Sequence, residues 1–241
     1  METNNRVVVI TGASGDIGRP VVEYLLKSGY VVAACVRNSD GFSLFDDNEN
    51  LKYFACDFSD NESIISCVAD IKKEYKNIYG LVNCIGVAHG SSFLMTKPED
   101  LHDVFKINYF SIMFFIQLLV KKMIKTRNGS IVNIASTAGI LSDKGTMAYG
   151  SSKAALIHSS KVLATELGAY GIRVNVIAPA VVESKMSAIM DEESVLTLNT
   201  RAAIAGSIYP QDVVDMIVYL LSDSARNITK QVIKIDRGIL D

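Results

Sequence analysis

Arg6-Val-Val-Val-Ile-Thr11 runs straight into Gly12-Ala-Ser14-Gly15-Asp16-Ile17-Gly18, and Arg19-Pro-Val-Val-Glu-Tyr-Leu-Leu-Lys-Ser28 follows. The first run is continuously apolar and β-branched, which reads as a buried strand. The third places its apolar residues at helical spacing, and Gly29 ends it. Tyr30-Val-Val-Ala-Ala-Cys-Val36 is a second buried strand. A strand, a glycine turn, a helix and a strand within about 30 residues make a nucleotide-binding βαβ unit. Glycine permits the tight turn and lets the backbone approach a pyrophosphate. The helix N-terminus adds unpaired N–H groups and a positive dipole end. A glycine-rich turn could be only a tight connection, but the strand before it and the helix behind it favour the cofactor reading.

The same alternation continues along the chain. Strands are expected near 6–11, 30–36, 51–57, 79–85, 130–136, 172–178 and 231–236, and helices near 17–28, 61–76, 99–126, 149–169 and 210–222. The strands are continuously apolar, as in a parallel sheet covered on both faces. The expected fold is therefore α/β, a doubly wound Rossmann fold with a seven-stranded parallel sheet, in one domain over residues 1–241. A net charge of −2 gives no basic field for nucleic acid. Cys35, Cys56, Cys67 and Cys84 lie in or beside apolar elements without metal-ligand spacing, so they read as reduced thiols of a cytoplasmic protein. The first residues carry no apolar signal segment. The run 107–120 is strongly apolar, contains Asn108 and Gln117, and reads as short of a membrane span. A helix apolar nearly all round packs on several sides, here against the sheet and a second subunit.

Ser136 closes a second informative stretch, Ser130-Ile-Val-Asn-Ile-Ala-Ser136, and Tyr149-Gly-Ser-Ser-Lys153 follows after 12 residues. The four-residue spacing puts Tyr149 and Lys153 on one helix face. An ammonium beside a phenol is expected to lower the phenol's pKa, so that it can hand a proton to a substrate oxygen. A nearby serine hydroxyl can hold that oxygen. The bare Tyr-x-x-x-Lys spacing is equally an exposed helix pair; the βαβ unit ahead of it weighs toward chemistry.

Together these residues resemble the short-chain dehydrogenase/reductase family over nearly the whole chain. The resemblance makes Gly12, Ser14, Gly15, Asp16, Ile17 and Gly18 the cofactor turn. It places Asp57 against the adenine, with Phe58 beside it among the cofactor contacts. Asn83-Cys-Ile-Gly86 looks like the family's Asn-x-Ala-Gly stretch. Asn108, Ser136, Tyr149 and Lys153 fall at the spacings of the catalytic tetrad. The family's Lys also holds the nicotinamide ribose, and its Asn kinks the helix and holds a proton-relaying water. Pro179, Val182 and Ser184 match the strand end that meets the nicotinamide, and 183–207 matches the substrate lid. Two helices, 107–120 and 153–169, pair across a twofold axis in the family, which implies a homodimer or homotetramer. The chain also departs from the pattern. Asp16 stands where the middle glycine is expected, and the Gly12-x-x-Gly15-x-x-Gly18 spacing is that of longer, sugar-nucleotide-modifying members. Cys84 and Ile85 are bulkier than usual, Ala180 replaces a glycine, and so do Lys230 and Arg237.

Cofactor choice turns on Ala34-Cys35-Val36-Arg37-Asn38, which has no acid to hold both ribose hydroxyls before Asp40. Arg37 suits a 2′-phosphate, so NADP(H) is favoured, with NAD(H) possible. The resulting reading is an oxidoreductase that reduces a carbonyl, either 3-oxoacyl or a small ketone, or runs the reverse, with Tyr149 as acid/base. Two alternatives accompany it: a sugar-nucleotide or polyol-modifying oxidoreductase, and a non-catalytic nucleotide-binding scaffold. In overall layout the sequence looks most like the 3-oxoacyl-carrier-protein reductases. Of their two carrier-docking arginines, Arg127 matches one and Tyr170 replaces the other. A small-molecule substrate is therefore ranked above a carrier protein.

Overall fold

The computed structural model describes residues 6–37, 48–184 and 200–239. Seven strands form one parallel sheet: β1 (Val7–Thr11), β2 (Val31–Val36), β3 (Leu51–Ala55), β4 (Gly80–Asn83), β5 (Gly129–Ile134), β6 (Ile172–Pro179) and β7 (Val232–Ile235). Their spatial order is β3-β2-β1-β4-β5-β6-β7. The order reverses at β1, where β1 pairs with β2 on one side and β4 on the other. That reversal opens a crevice at the strands' carboxyl ends, the general ligand position of such sheets.

Among the described residues six α-helices cover the sheet: α1 (Gly18–Lys27), α2 (Asn61–Glu74), α3 (Pro98–Phe105), α4 (Ser111–Thr126), α5 (Met147–Gly168) and α6 (Pro210–Leu221). Successive strand side chains point to opposite faces, and each face is sealed separately. Val9, Leu81 and Ile131 pack with Ile64 and Ile71 of α2, Phe115 and Leu119 of α4 and Leu156 of α5. Val8, Ile10, Val82 and Val132 pack with Val21 and Leu25 of α1 and with Val213 and Leu220 of α6. Two-sided burial is why β1 and β2 are almost continuously apolar, whereas the less buried edge strands β3 and β7 admit Lys52 and Lys234. Asp60 starts α2 by accepting bonds from Glu62 N (3.1 Å) and Ser63 N (3.3 Å), a side-chain cap of the usual kind.

The helix expected over 99–126 is not uniform. A π-helical turn, Lys106–Phe110, separates α3 from α4 and carries Asn108 into the interior. Such single-turn bulges mark places where a side chain is swung inward at some cost in helix geometry. The combined run 98–126, unlike the shorter stretch weighed in the sequence, is long and apolar enough to cross a membrane by length and composition. Its inner stripe, Ile112, Phe115, Ile116, Leu119 and Met123, is fully enclosed against the sheet, as in the core helix of an α/β layer.

Lys230 (φ 65) and Arg237 (φ 57) adopt left-handed backbone at positions where the family pattern has glycine. Each such residue costs roughly 1–3 kcal/mol and persists only where neighbours over-determine it. Lys230 N donates to Val174 O (2.8 Å), and Ile204 N donates to Arg237 O (3.0 Å) while the Arg237 guanidinium donates back to Ile204 O (3.1 Å). All four cysteines are free thiols.

Candidate active site

The glycine turn is built as its spacing requires. Gly12 has φ +63, and a Cβ there would stand 3.0 Å from the Cys84 and Ile85 backbone. A Cβ on Gly18 would stand 2.2 Å from Gly12 O, so no other residue fits. Gly15 N donates to Gly12 O (3.0 Å) and closes the turn. No side chain caps the N-terminus of α1, and no acid occupies its first turn. A cradle that any side chain would fill, facing an uncapped helix N-terminus, fits a pyrophosphate. Asp16 and Arg19 line a cleft of about 320 Å³ together with Ser14, Gly15, Glu183 and Ser184. The structure therefore brings Ser184 to the glycine turn from the opposite side. Val182 is buried and bridges to Ile208, and Pro179 ends β6. Of the stretch read as a lid, 185–199 lies outside the described residues.

Just past the end of β2, Arg37 is largely exposed, with its Nε 3.9 Å from Asp57 Oδ1. The Asp57 carboxyl is held below its ordinary pKa, first by Ser59 N–H and hydroxyl (2.8 and 2.7 Å) and then by Arg37. Two residues assigned to the cofactor are otherwise engaged. The Phe58 ring is buried against Phe115 (5.4 Å between centroids), leaving only its backbone. The Asn83 side chain is fully buried; it accepts from Thr11 Oγ1 (3.2 Å) and donates to Asn133 Oδ1 (2.7 Å). Asn133 in turn donates to Ser160 of α5 (2.8 Å). This polar line, with the Asn83 amide inside it, ties β1, β4, β5 and α5 together.

The four tetrad residues converge from three elements: the π-turn, the end of β5 and α5. Ser136 follows β5, and its hydroxyl accepts from Ala138 N (3.2 Å). Tyr149 lies in the first turn of α5, where the Ser136 hydroxyl is the polar group acting on its phenol. Lys153, one turn on, is buried; its ammonium donates to Ile134 O (3.0 Å) and stands 5.8 Å from the Tyr149 ring centre. Asn108 Oδ1 accepts from Val87 N (2.8 Å), and its Nδ2 donates to Val87 O (2.9 Å) and to Ser152 Oγ (3.1 Å). Gly86 closes the group, because a Cβ there would stand 3.2 Å from Lys153 Nζ and 3.4 Å from Asn108 Oδ1.

The electrostatics correct one expectation. The Tyr149 phenol is raised above its ordinary pKa, mainly by burial, with the Ser136 hydrogen bond pulling the other way. Burial lowers Lys153 to about 8, a fall that the neighbouring Cys84 opposes. Lys153 is buried and Tyr149 half-buried, and loss of water disfavours the charged form of each. Spacing established their adjacency, but depth determines the sign. Sequence reasoning missed Ser152, which is fully buried between Asn108 and the Tyr149 backbone. The signal was present, since Ser152 lies three residues from Tyr149 on the same face of a largely apolar helix.

A crossover sheet with a glycine cradle at its switch point, and a Ser–Tyr–Lys group beside it, defines an NAD(P)-dependent oxidoreductase acting on CH–OH groups. A family model described as enoyl-(acyl carrier protein) reductase matches residues 12–240, and the chain belongs to the short-chain dehydrogenase/reductase family. It is 32% identical over 245 residues to the 3-oxoacyl-[acyl-carrier-protein] reductase FabG of Thermotoga maritima, with both chains covered completely. Among solved structures it is similar to ElxO with NADP bound (27% identity, TM-score 0.89, covering 97% of this chain and 98% of that one). It is also similar to a 4-hydroxyisoleucine dehydrogenase complexed with NADH (28% identity, TM-score 0.90, 97% and 98% covered).

Proposed function

We propose that the protein is an NADP(H)-dependent reductase of a carbonyl, a small ketone or a free 3-oxoacyl thioester, with Tyr149 as proton donor. The observation that carries this reading is the convergence of Ser136, Tyr149 and Lys153 beside the glycine cradle. A bound nicotinamide supplies the hydride, or accepts it in the reverse direction. Ser136 and Tyr149 hold the substrate oxygen, and the phenol delivers its proton there. Lys153 fixes the cofactor ribose and keeps a positive charge near the phenol. Asn108 holds the β4 exit against α5. Gly12, Gly15 and Gly18 admit the pyrophosphate, with Asp57 at the adenine and Ser184 at the nicotinamide end.

Exposed Arg37 supports NADP(H) over NAD(H), as does the NADP carried by one similar structure. A charged hydrogen bond to phosphate contributes about 1.5–3 kcal/mol, roughly ten- to a hundredfold. Arg37→Ala is expected to cut preference for NADPH by about that factor and to leave NADH use nearly unchanged. Steady-state kinetics with both cofactors over a ketone and acetoacetyl-CoA panel measures it, and equal loss with both would assign Arg37 to structure. A carrier-bound substrate has less support. The Arg127 guanidinium donates to Ala169 O (2.7 Å) at the end of α5, and Tyr170 is exposed where the resembled reductases have their second arginine. A large, salt-sensitive advantage for an acetoacetyl carrier protein over acetoacetyl-CoA would reverse that ranking.

Assembly belongs to the same reading. Phe110 at the start of α4, Val162 on α5 and Tyr170 just beyond it are exposed apolar side chains. We assign these exposed positions to contacts between copies in a dimer or tetramer. Light scattering at micromolar concentration is expected to give a multiple of the chain mass, and a monodisperse monomer contradicts it. Four free thiols match a cytoplasmic location.

A further inference from the structure

We propose that Ser152 is a positioning residue whose hydroxyl ties the π-turn at Asn108 to the first turn of α5 and so sets where Tyr149 stands. The inference rests on the reading of Tyr149 as proton donor. Ser152 is fully buried in the face of α5 that also carries Tyr149 and Lys153. Its hydroxyl has one proton, which goes to Tyr149 O at 2.7 Å. A serine in a helix often bonds back to the carbonyl of the preceding turn, and that bond alone would be unremarkable. The bond that no local rule explains is the one Ser152 Oγ accepts from Asn108 Nδ2, 3.1 Å away and 44 residues earlier in the chain.

Every polar atom of this network has a defined role. Asn108 spends one amide proton on Val87 O (2.9 Å) and the other on Ser152, while its Oδ1 accepts from Val87 N (2.8 Å). Reversing the amide would set oxygen against oxygen and N–H against N–H at Val87, so the assignment is fixed by its partners. The result is a continuous line from the exit of β4, through the π-turn, to the carbonyl of Tyr149. Gly86 lets this line lie directly against Lys153, since any Cβ there would meet both Lys153 Nζ and Asn108 Oδ1. A buried network in which each member is satisfied holds one geometry; removal of one member leaves its partner unpaired. Ser152 therefore acts through Asn108 and the α5 backbone, not on substrate or cofactor.

The test compares Ser152→Ala, Asn108→Ala and the double variant with the wild type. Three quantities are read: NADPH affinity by fluorescence titration, the single-turnover rate of carbonyl reduction, and hydrogen exchange of the Val87 amide. In Ser152→Ala the turnover rate is expected to fall about tenfold to a hundredfold, the scale of a small misplacement of reacting groups. NADPH affinity should stay within about twofold, a margin comparable to ordinary additivity error. Val87 exchange should accelerate without cofactor present, and the double variant should lose no more than Asn108→Ala alone. Wild-type turnover and protection in Ser152→Ala would overturn the proposal. So would losses that multiply in the double variant, or a loss of affinity and melting temperature matching the loss of rate. If the wild type reduces no carbonyl with NADPH, the functional reading fails on its own. The Val87 exchange then decides whether Ser152 holds the Asn108 network.

Discussion

Tyr149→Phe is expected to lose about 10²–10⁴-fold in turnover, the usual contribution of a positioned general acid, with fold and NADPH affinity retained. Phenylalanine keeps the ring in the first turn of α5 and removes only the hydroxyl. Burial raises the phenol's pKa, so at neutral pH it holds its proton and is set up as a donor. Carbonyl reduction uses that form directly. The reverse oxidation needs the phenolate and should gain as pH rises, while reduction declines. Absorbance assays of NADPH consumption in both directions, with thermal melts beside them, read the outcome. A Tyr149→Phe enzyme of near wild-type rate would mean that another group moves the proton.

The sheet was legible because burial on both faces makes its central strands β1 and β2 almost continuously apolar, and α5 was legible because Tyr149 and Lys153 share one face. What burial alone could not reveal is where pairing stops. Cys56 and Ala135 are buried beyond the ends of β3 and β5, so the apolar run overstates both strands. The kink at Asn108 was implied by the resemblance alone, because its partners, Val87 and Ser152, lie 21 and 44 residues away and meet it only in the fold. A motif also does not say which part of a residue faces a ligand. Phe58 and Asn83 occupy cofactor-motif positions, yet their side chains belong to the core and to the sheet's polar line. The sign of the Tyr149 shift failed for a related reason: spacing reports neighbours, and desolvation depends on depth.

Lys153→Met should separate chemistry from stability. The ammonium is buried, bonded to Ile134 O, and lowered to about 8 from an ordinary 10.5. Because the folded state depresses this pKa, the fold binds the proton less readily than the unfolded chain does. Stability from Lys153 is therefore fully present above 10.5, is lost as pH falls through about 8, and is level below that. Methionine of similar length does not titrate, so the variant should gain on the wild type as pH falls from 10.5 to 8. At pH 7 it should melt no lower than wild type, provided the Ile134 carbonyl finds another donor. Turnover should nevertheless collapse by about 10²-fold or more, as expected for loss of a group that both binds cofactor and tunes the acid. In the wild type, kcat/KM for reduction reports the free enzyme and should fall above an inflection near 8, where Lys153 loses its charge. Unfolding curves from pH 7 to 10.5 and a matching pH–rate profile check both halves. A wild type that gains stability over Lys153→Met on acidification would show that the ammonium is favoured by the fold, and the desolvation argument would be wrong.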